Sequence, residues 1–166
     1  MSQINRFYSN DALAKEAKEF IKFIPTLSFF FKIAYLSTVK DFKKYYVIPA
    51  PPEDVYLALT NEATMMLWTG DQASFKAEVG AEFSMWDGSI VGKNITLEPN
   101  KKIEQEWFFG EEATDNPSIV TIKFHVHNQG TSLEVRQSNI PDEEYDDIAD
   151  GWTNNYMAEL YEFYDE

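Results

Sequence analysis

Cysteine is absent from this chain of 166 residues, which excludes disulfide stapling and thiolate chemistry. Histidine is scarce. With two in all, a zinc site would draw most of its ligands from carboxylates. Positive charge is also in short supply. Fourteen Lys and Arg stand against 28 Asp and Glu, a net charge of −14, and that balance speaks against a basic face for nucleic acid or anionic membrane. Acidity of this size also keeps proteins dispersed in water, which is the plainer account of it. Long apolar runs are missing too. The stretch from Leu27 to Leu36 is interrupted by Lys32 and is too short to cross a bilayer. It begins too late for a signal peptide and lacks a small-residue cleavage site. No G-x-S-x-G, P-loop, G-x-G-x-x-G or H-E-x-x-H pattern occurs, so the common nucleophile, nucleotide and zinc-protease signatures are missing.

What is present suits one globular core. Hydrophobic content is 44% and aromatic content 16%, at a length that holds one ordinary domain. Thirteen Phe, nine Tyr and four Trp exceed what a small core needs and permit an aromatic-lined cavity; the plainer alternative is that they fill the core. Charge divides the chain. Residues 1–40 hold six Lys or Arg and three Asp or Glu, and residues 41–166 hold eight and twenty-five. Such a step marks a compositional boundary. Residues 1–39 are expected as an extension with helical spacing at Leu13, Ala17, Phe20, Ile21 and Ile24, ahead of a domain over 40–166. Three readings of the extension stand together: a membrane-surface or partner-docking helix pair, an extra helix on the domain, or a mis-assigned translation start.

Within the domain, Phe42 to Ile48 reads as a strand stopped by Pro49-Ala50-Pro51-Pro52, because proline lacks a donor and fixes φ. Pro52 and Glu53-Asp54 suit a helix start, and Thr60-Asn61 separate that helix from a shorter one ending at Leu67-Trp68. Turn signals at Gly70, Gly80, Asp87-Gly88 and Asn128-Gln129-Gly130 then divide six strands: Ala73–Lys76, Glu82–Trp86, Ser89–Leu97, Lys102–Phe108, Ser118–Val126 and Ser132–Ser138. In Ser118–Val126 the residues Val120, Ile122, Phe124 and Val126 share one face, and Leu133 and Val135 repeat the alternation. After Ile140-Pro141 and an acidic run, Ile148, Trp152, Tyr156, Leu160 and Phe163 recur at helical spacing. The expected fold class is α+β, a helix-grip in which an antiparallel sheet wraps around a long C-terminal helix, with two short helices after the first strand.

Several segments carry a family resemblance: Ile48-Pro49-Ala50-Pro51-Pro52-Glu53-Asp54-Val55-Tyr56, Leu67-Trp68-Thr69-Gly70, Gly80-Ala81-Glu82-Phe83-Ser84-Met85-Trp86-Asp87-Gly88, Lys101-Lys102-Ile103-Glu104-Gln105-Glu106-Trp107, Asn139-Ile140-Pro141 and Asp150-Gly151-Trp152. In this order they resemble the activator-of-heat-shock-protein-90-ATPase homologues of the START-like superfamily, over about residues 40–164. The resemblance implies a cavity between sheet and helix, as in superfamily branches that bind lipids, hormones or polyketides. In eukaryotic co-chaperones of this family the matching domain is the C-terminal half, and a separate N-terminal domain contacts the chaperone; the first 39 residues here are too short to hold one.

The expected function is non-enzymatic, cytoplasmic binding of a small hydrophobic or amphipathic ligand, without cofactor, metal, nucleic acid or transmembrane segment. Two alternatives are a co-chaperone-like protein contacting a heat-shock chaperone and a cyclase- or hydrolase-like enzyme. The ligand cavity is expected to be lined by Trp68, Phe83, Gln105, Trp107, Ile122, Phe124, Val135, Gln137, Trp152 and Tyr156. Among these, Gln105 shares the parity of Ile103 and Trp107, and Gln137 that of Leu133 and Val135. Inward-facing amides must bond one another, water or a ligand, because an unpaired buried amide costs roughly 1–3 kcal/mol. His125-x-His127 resembles a metal pair in spacing, but its parity points outward.

Overall fold

Alternating apolar and polar residues fold into six antiparallel strands in one sheet, ordered β1-β6-β5-β4-β3-β2. The strands are β1 (Val39–Ile48), β2 (Glu82–Met85), β3 (Ile90–Glu98), β4 (Lys102–Phe108), β5 (Ser118–His127) and β6 (Gly130–Pro141). The computed structural model describes residues 39–108 and 117–165; the helical extension expected ahead of Val39 lies outside the described residues. On β5, Val120, Ile122 and Phe124 are buried while Lys123 and His125 are exposed, as the period of two requires. Val126 departs from that pattern at 87% exposure. It stands one pair from the hairpin tip, past the reach of Tyr56, whose ring covers Phe124 edge-on at 5.6 Å.

Pro52 opens α1 (Pro52–Thr60), with Glu53 and Asp54 in its first turn where the helix dipole favours negative charge. Asn61 ends α1 and caps α2 (Glu62–Thr69), its Oδ1 accepting from Thr64 N at 3.0 Å. Gly70 closes α2 at φ 67, a left-handed conformation that glycine adopts without strain. Val55, Ala58, Leu59, Met65 and Trp68 from these helices enter the core.

Ala73–Lys76 does not form the expected strand. Ser74 makes one isolated bridge to Ser84, and side chains bond other backbone groups along the segment. Glu62 accepts from Phe75 N at 3.0 Å, and Asn94 donates to the carbonyls of Lys76 and Glu78. A segment satisfied in this way needs no ladder.

The C-terminal helix begins with a 3₁₀ turn (Asp142–Glu144) and continues as α3 (Tyr145–Gly151), a π-helical turn (Trp152–Tyr156) and α4 (Met157–Tyr164). In the π turn, Met157 N–H reaches Trp152 O, five residues back. Trp152, Tyr156, Met157 and Leu160 are consequently all buried, including two neighbours in sequence that a regular helix would turn about 100° apart. Thr153 fixes this segment to β1, accepting from Lys44 Nζ at 3.0 Å and sharing a hydrogen bond with Tyr46 OH at 3.1 Å. Tyr164 OH donates to Asp54 O at 2.9 Å; burial, with the Asp54 charge beside it, pushes that phenol up to about 12.

On the outer face of the sheet, Glu134 accepts from Tyr45 OH at 2.8 Å, Arg136 Nε at 2.8 Å and Lys43 Nζ at 3.3 Å. These partners, Tyr45 foremost, hold its carboxyl down to about 2. No helix among the described residues is long and apolar enough to cross a membrane.

Candidate functional site

Strand register decides what the helix meets. One inner rung runs Asn94, Gln105, Val120, Gln137 and Phe42 across β3, β4, β5, β6 and β1. The neighbouring rung runs Phe83, Gly92, Trp107 and Ser118. Trp107 therefore lies between two small residues, which leaves its face open to the helix. Gly92 is required there: a Cβ would press into the Glu106 carbonyl oxygen and stand 2.6 Å from Phe83 Cζ. Trp152 stacks on Trp107 with ring centroids 5.0 Å apart and planes 23° from parallel. Such pairs contribute about 0.5–1.5 kcal/mol beyond their burial.

The two inward glutamines have different fates. Gln105 Nε2 donates to Asn94 Oδ1 at 2.9 Å, and its Oε1 accepts from Trp107 Nε1 at 2.9 Å. Asn94 in turn donates to backbone carbonyls, so this buried relay is closed. Gln137 is fully buried, and its Oε1 accepts from Trp152 Nε1 at 2.7 Å. Only the oxygen can accept from an indole N–H, which fixes the amide's orientation. Its Nε2 is then left as a buried donor with no partner among the described residues.

Gln137 lies at the floor of a cavity of about 670 Å³ between the sheet and the C-terminal helix, walled by Trp86, Trp107, Trp152 and Tyr156. Glu144, Asp147 and Glu159 also line it, the first two exposed at its mouth. Tyr156 joins the walls together, with ring centroids 4.7 Å from Trp152, 5.4 Å from Trp86 and 5.1 Å from Trp68. Burial pushes its phenol well above the ordinary range. Trp86 occupies the β2–β3 turn at φ 48, a strained conformation for a bulky residue. Its Nε1 donates to Glu159 Oε2 at 3.1 Å, which holds the indole against the helix.

Of the ten residues expected around a cavity, Trp107, Gln137, Trp152 and Tyr156 line this one. Phe83, Gln105, Ile122, Phe124 and Val135 are buried in the core, apart from the lining. Trp68 stands behind Trp86, edge-on at 5.4 Å, with its indole N–H spent on Ala58 O. The two glutamines do not bond each other. Trp86 and Glu159 were absent from the expected set; Glu159 follows Trp152 and Tyr156 at helical spacing, a signal that could have found it. His125 is exposed on the outer face. Among the described residues no three His, Asp or Glu gather as metal ligands.

The activator of 90 kDa heat shock protein ATPase homolog of Dictyostelium discoideum is 33% identical over 124 residues, 74% of this chain and 32% of that protein. The human activator of 90 kDa heat shock protein ATPase homolog 1 is 29% identical over 106 residues, 64% of this chain and 31% of that one. The chain thus spans about a third of the length of these relatives. Among solved structures, an HSP90 activator from Plasmodium falciparum superposes with a TM-score of 0.64 at 25% identity, covering 75% of this chain and 94% of that one. The family model described as activator of Hsp90 ATPase homolog 1-like protein matches residues 49–164, the whole span from the proline turn to the end of the C-terminal helix, and the chain belongs to that family.

Proposed function

We propose that this domain binds a small apolar or amphipathic molecule between the sheet and the C-terminal helix, and does so without catalysing its conversion. The observation that carries the reading is the unpartnered Gln137 Nε2 at the floor of an aromatic cavity. A buried amide donor left unbonded costs roughly 1–3 kcal/mol, and a ligand acceptor would recover that cost. The cavity's size falls within the range of small-molecule sites. Trp86, Trp107, Trp152 and Tyr156 supply flat apolar walls, and the core residues Phe83, Ile122, Phe124 and Val135 belong to the sheet that carries Trp107. Native mass spectrometry of the purified protein, followed by titration with N-phenyl-1-naphthylamine, tests this. A co-purifying small-molecule mass or saturable probe binding is expected. Neither a bound mass nor saturable binding would overturn it.

A second reading is favoured by family membership: contact with an Hsp90-type chaperone, since the relatives are named as activators of its ATPase. That contact would use the acidic exterior and weaken with salt. Calorimetry against the cognate chaperone at low ionic strength tests it, and no heat of association there would count decisively against it.

A further inference from the structure

The lining of the cavity is chemically polarised. At its floor the free group is a donor, Gln137 Nε2, on a residue with no exposed surface. Its walls are flat indole and phenol rings. Toward the helix side stand the carboxylates of Glu144, Asp147 and Glu159, and among the described residues no Lys or Arg lines the cavity. Of the three, Glu159 is engaged by Trp86 Nε1, while Glu144 and Asp147 face solvent at the mouth. A molecule lying along this axis meets a hydrogen-bond donor first, π faces next and negative charge last.

We propose that the ligand is a planar aromatic cation with a hydrogen-bond acceptor at its buried end: the acceptor meets Gln137 Nε2, the ring system lies against Trp86 and the Trp107–Trp152 stack, and an ammonium group sits among Glu144, Asp147 and Glu159. The proposal rests on the cavity being a ligand site, and it names the class of ligand that the site selects. An anionic amphiphile such as a fatty acid would place its carboxylate against like charge at the mouth, or bury it where only one neutral donor awaits it. A neutral acceptor at the floor avoids that desolvation, and the cationic arm keeps its charge near water. The Gln137 nitrogen is screened from water by its neighbours, so docking includes a small displacement of the side chains above it.

A matched set of acridone probes separates the parts. Aminoethyl-acridone is the cation, acridone the neutral form and carboxymethyl-acridone the anion. N-Aminoethyl-carbazole carries the amine on a planar tricycle without the carbonyl. N-phenyl-1-naphthylamine reports on the cavity regardless of charge. At low salt the aminoethyl probe is expected to bind at least about tenfold more tightly than the carboxymethyl probe, a difference that shrinks as salt rises. Glu144→Gln with Asp147→Asn should remove most of that preference. Glu82→Gln with Glu106→Gln, which lowers the net charge equally away from the cavity, should leave it intact. Loss of the carbonyl from the probe should weaken binding about tenfold, the usual worth of one buried hydrogen bond; this comparison needs no protein variant and so is immune to misfolding.

Equal affinity for the three charge forms, with N-phenyl-1-naphthylamine still bound, would overturn the cationic class and leave the cavity reading standing. Equal loss of preference in both pairs of variants would overturn the role of the mouth carboxylates. Indifference to the probe's carbonyl would overturn the role of Gln137. Failure of every probe, the neutral reporter included, would overturn the cavity reading and this one with it.

Discussion

Gln105 and Gln137 are both buried amides on one rung, separated by Val120 of β5, yet their removal should have unequal consequences. Methionine matches glutamine in length and leaves no polar atom. In Gln105→Met, Asn94 Oδ1 loses its donor and Trp107 Nε1 loses its acceptor, both in residues at most 3% exposed. Two new buried orphans at roughly 1–3 kcal/mol each give a loss of about 2–6 kcal/mol. In Gln137→Met, Trp152 Nε1 is orphaned, but the already unpaired Nε2 disappears. One orphan replaces another, and the net change should fall within about 1 kcal/mol of zero. Urea unfolding followed by far-UV circular dichroism measures both, provided the slope with denaturant is unchanged. Equal, large destabilisation by the two substitutions would refute the reasoning, because it would mean that Gln137 Nε2 is already satisfied inside the ligand-free protein.

Gly92→Ala should destabilise by about 1–3 kcal/mol, read as a lowered Tm, since its Cβ meets the Glu106 carbonyl and Phe83; an unchanged Tm would mean that the rung repacks freely. Glu134, held down to about 2 from 4.5, contributes stability that is fully present above 4.5 and lost as pH falls toward 2. Urea midpoints across that window should fall less in Glu134→Gln than in the parent chain. Tyr164, raised from 10 to about 12, acts in the opposite sense. Its contribution is intact below 10 and lost as pH rises through 12, so Tyr164→Phe should flatten the alkaline limb of the same titration.

Much of the sheet was legible because burial on one face writes a period of two into the chain. Val120, Ile122 and Phe124 on β5, and Leu133, Val135 and Gln137 on β6, follow parity, whereas Val126 near the hairpin tip and the buried Glu134 break it. Parity also placed Gln105 inward, but it carries no information about partners. The Asn94 side chain that receives Gln105 depends on a register shift between Asn94 and Thr96, and such bulges leave no local signature. Ala73–Lys76 looked like a strand because the turn signals at Gly70 and Gly80 bracket it; in the structure the Glu62 side chain, thirteen residues away in sequence, takes the Phe75 amide instead. The site itself was half visible. Aromatic spacing on the last helix led to Trp152 and Tyr156, whereas the Trp86 conformation and the π turn arise from tertiary packing, which overrides local preference.

That π turn also uncouples two requirements a single rigid rod would have to meet together. Ahead of it, Glu144, Asp147 and Ile148 present themselves to the cavity; after it, Met157 and Leu160 anchor in the core. A regular helix would lock these two phases to one another, so that any change improving one half would rotate the other out of place. With an extra residue between them, the first half can present Glu144 and Asp147 to the cavity independently of the second, which keeps Met157 and Leu160 in the core and also turns Glu159 toward the cavity. Deleting one residue from Trp152–Tyr156 would abolish that independence, and the protein would have to surrender either its core seam or its cavity wall.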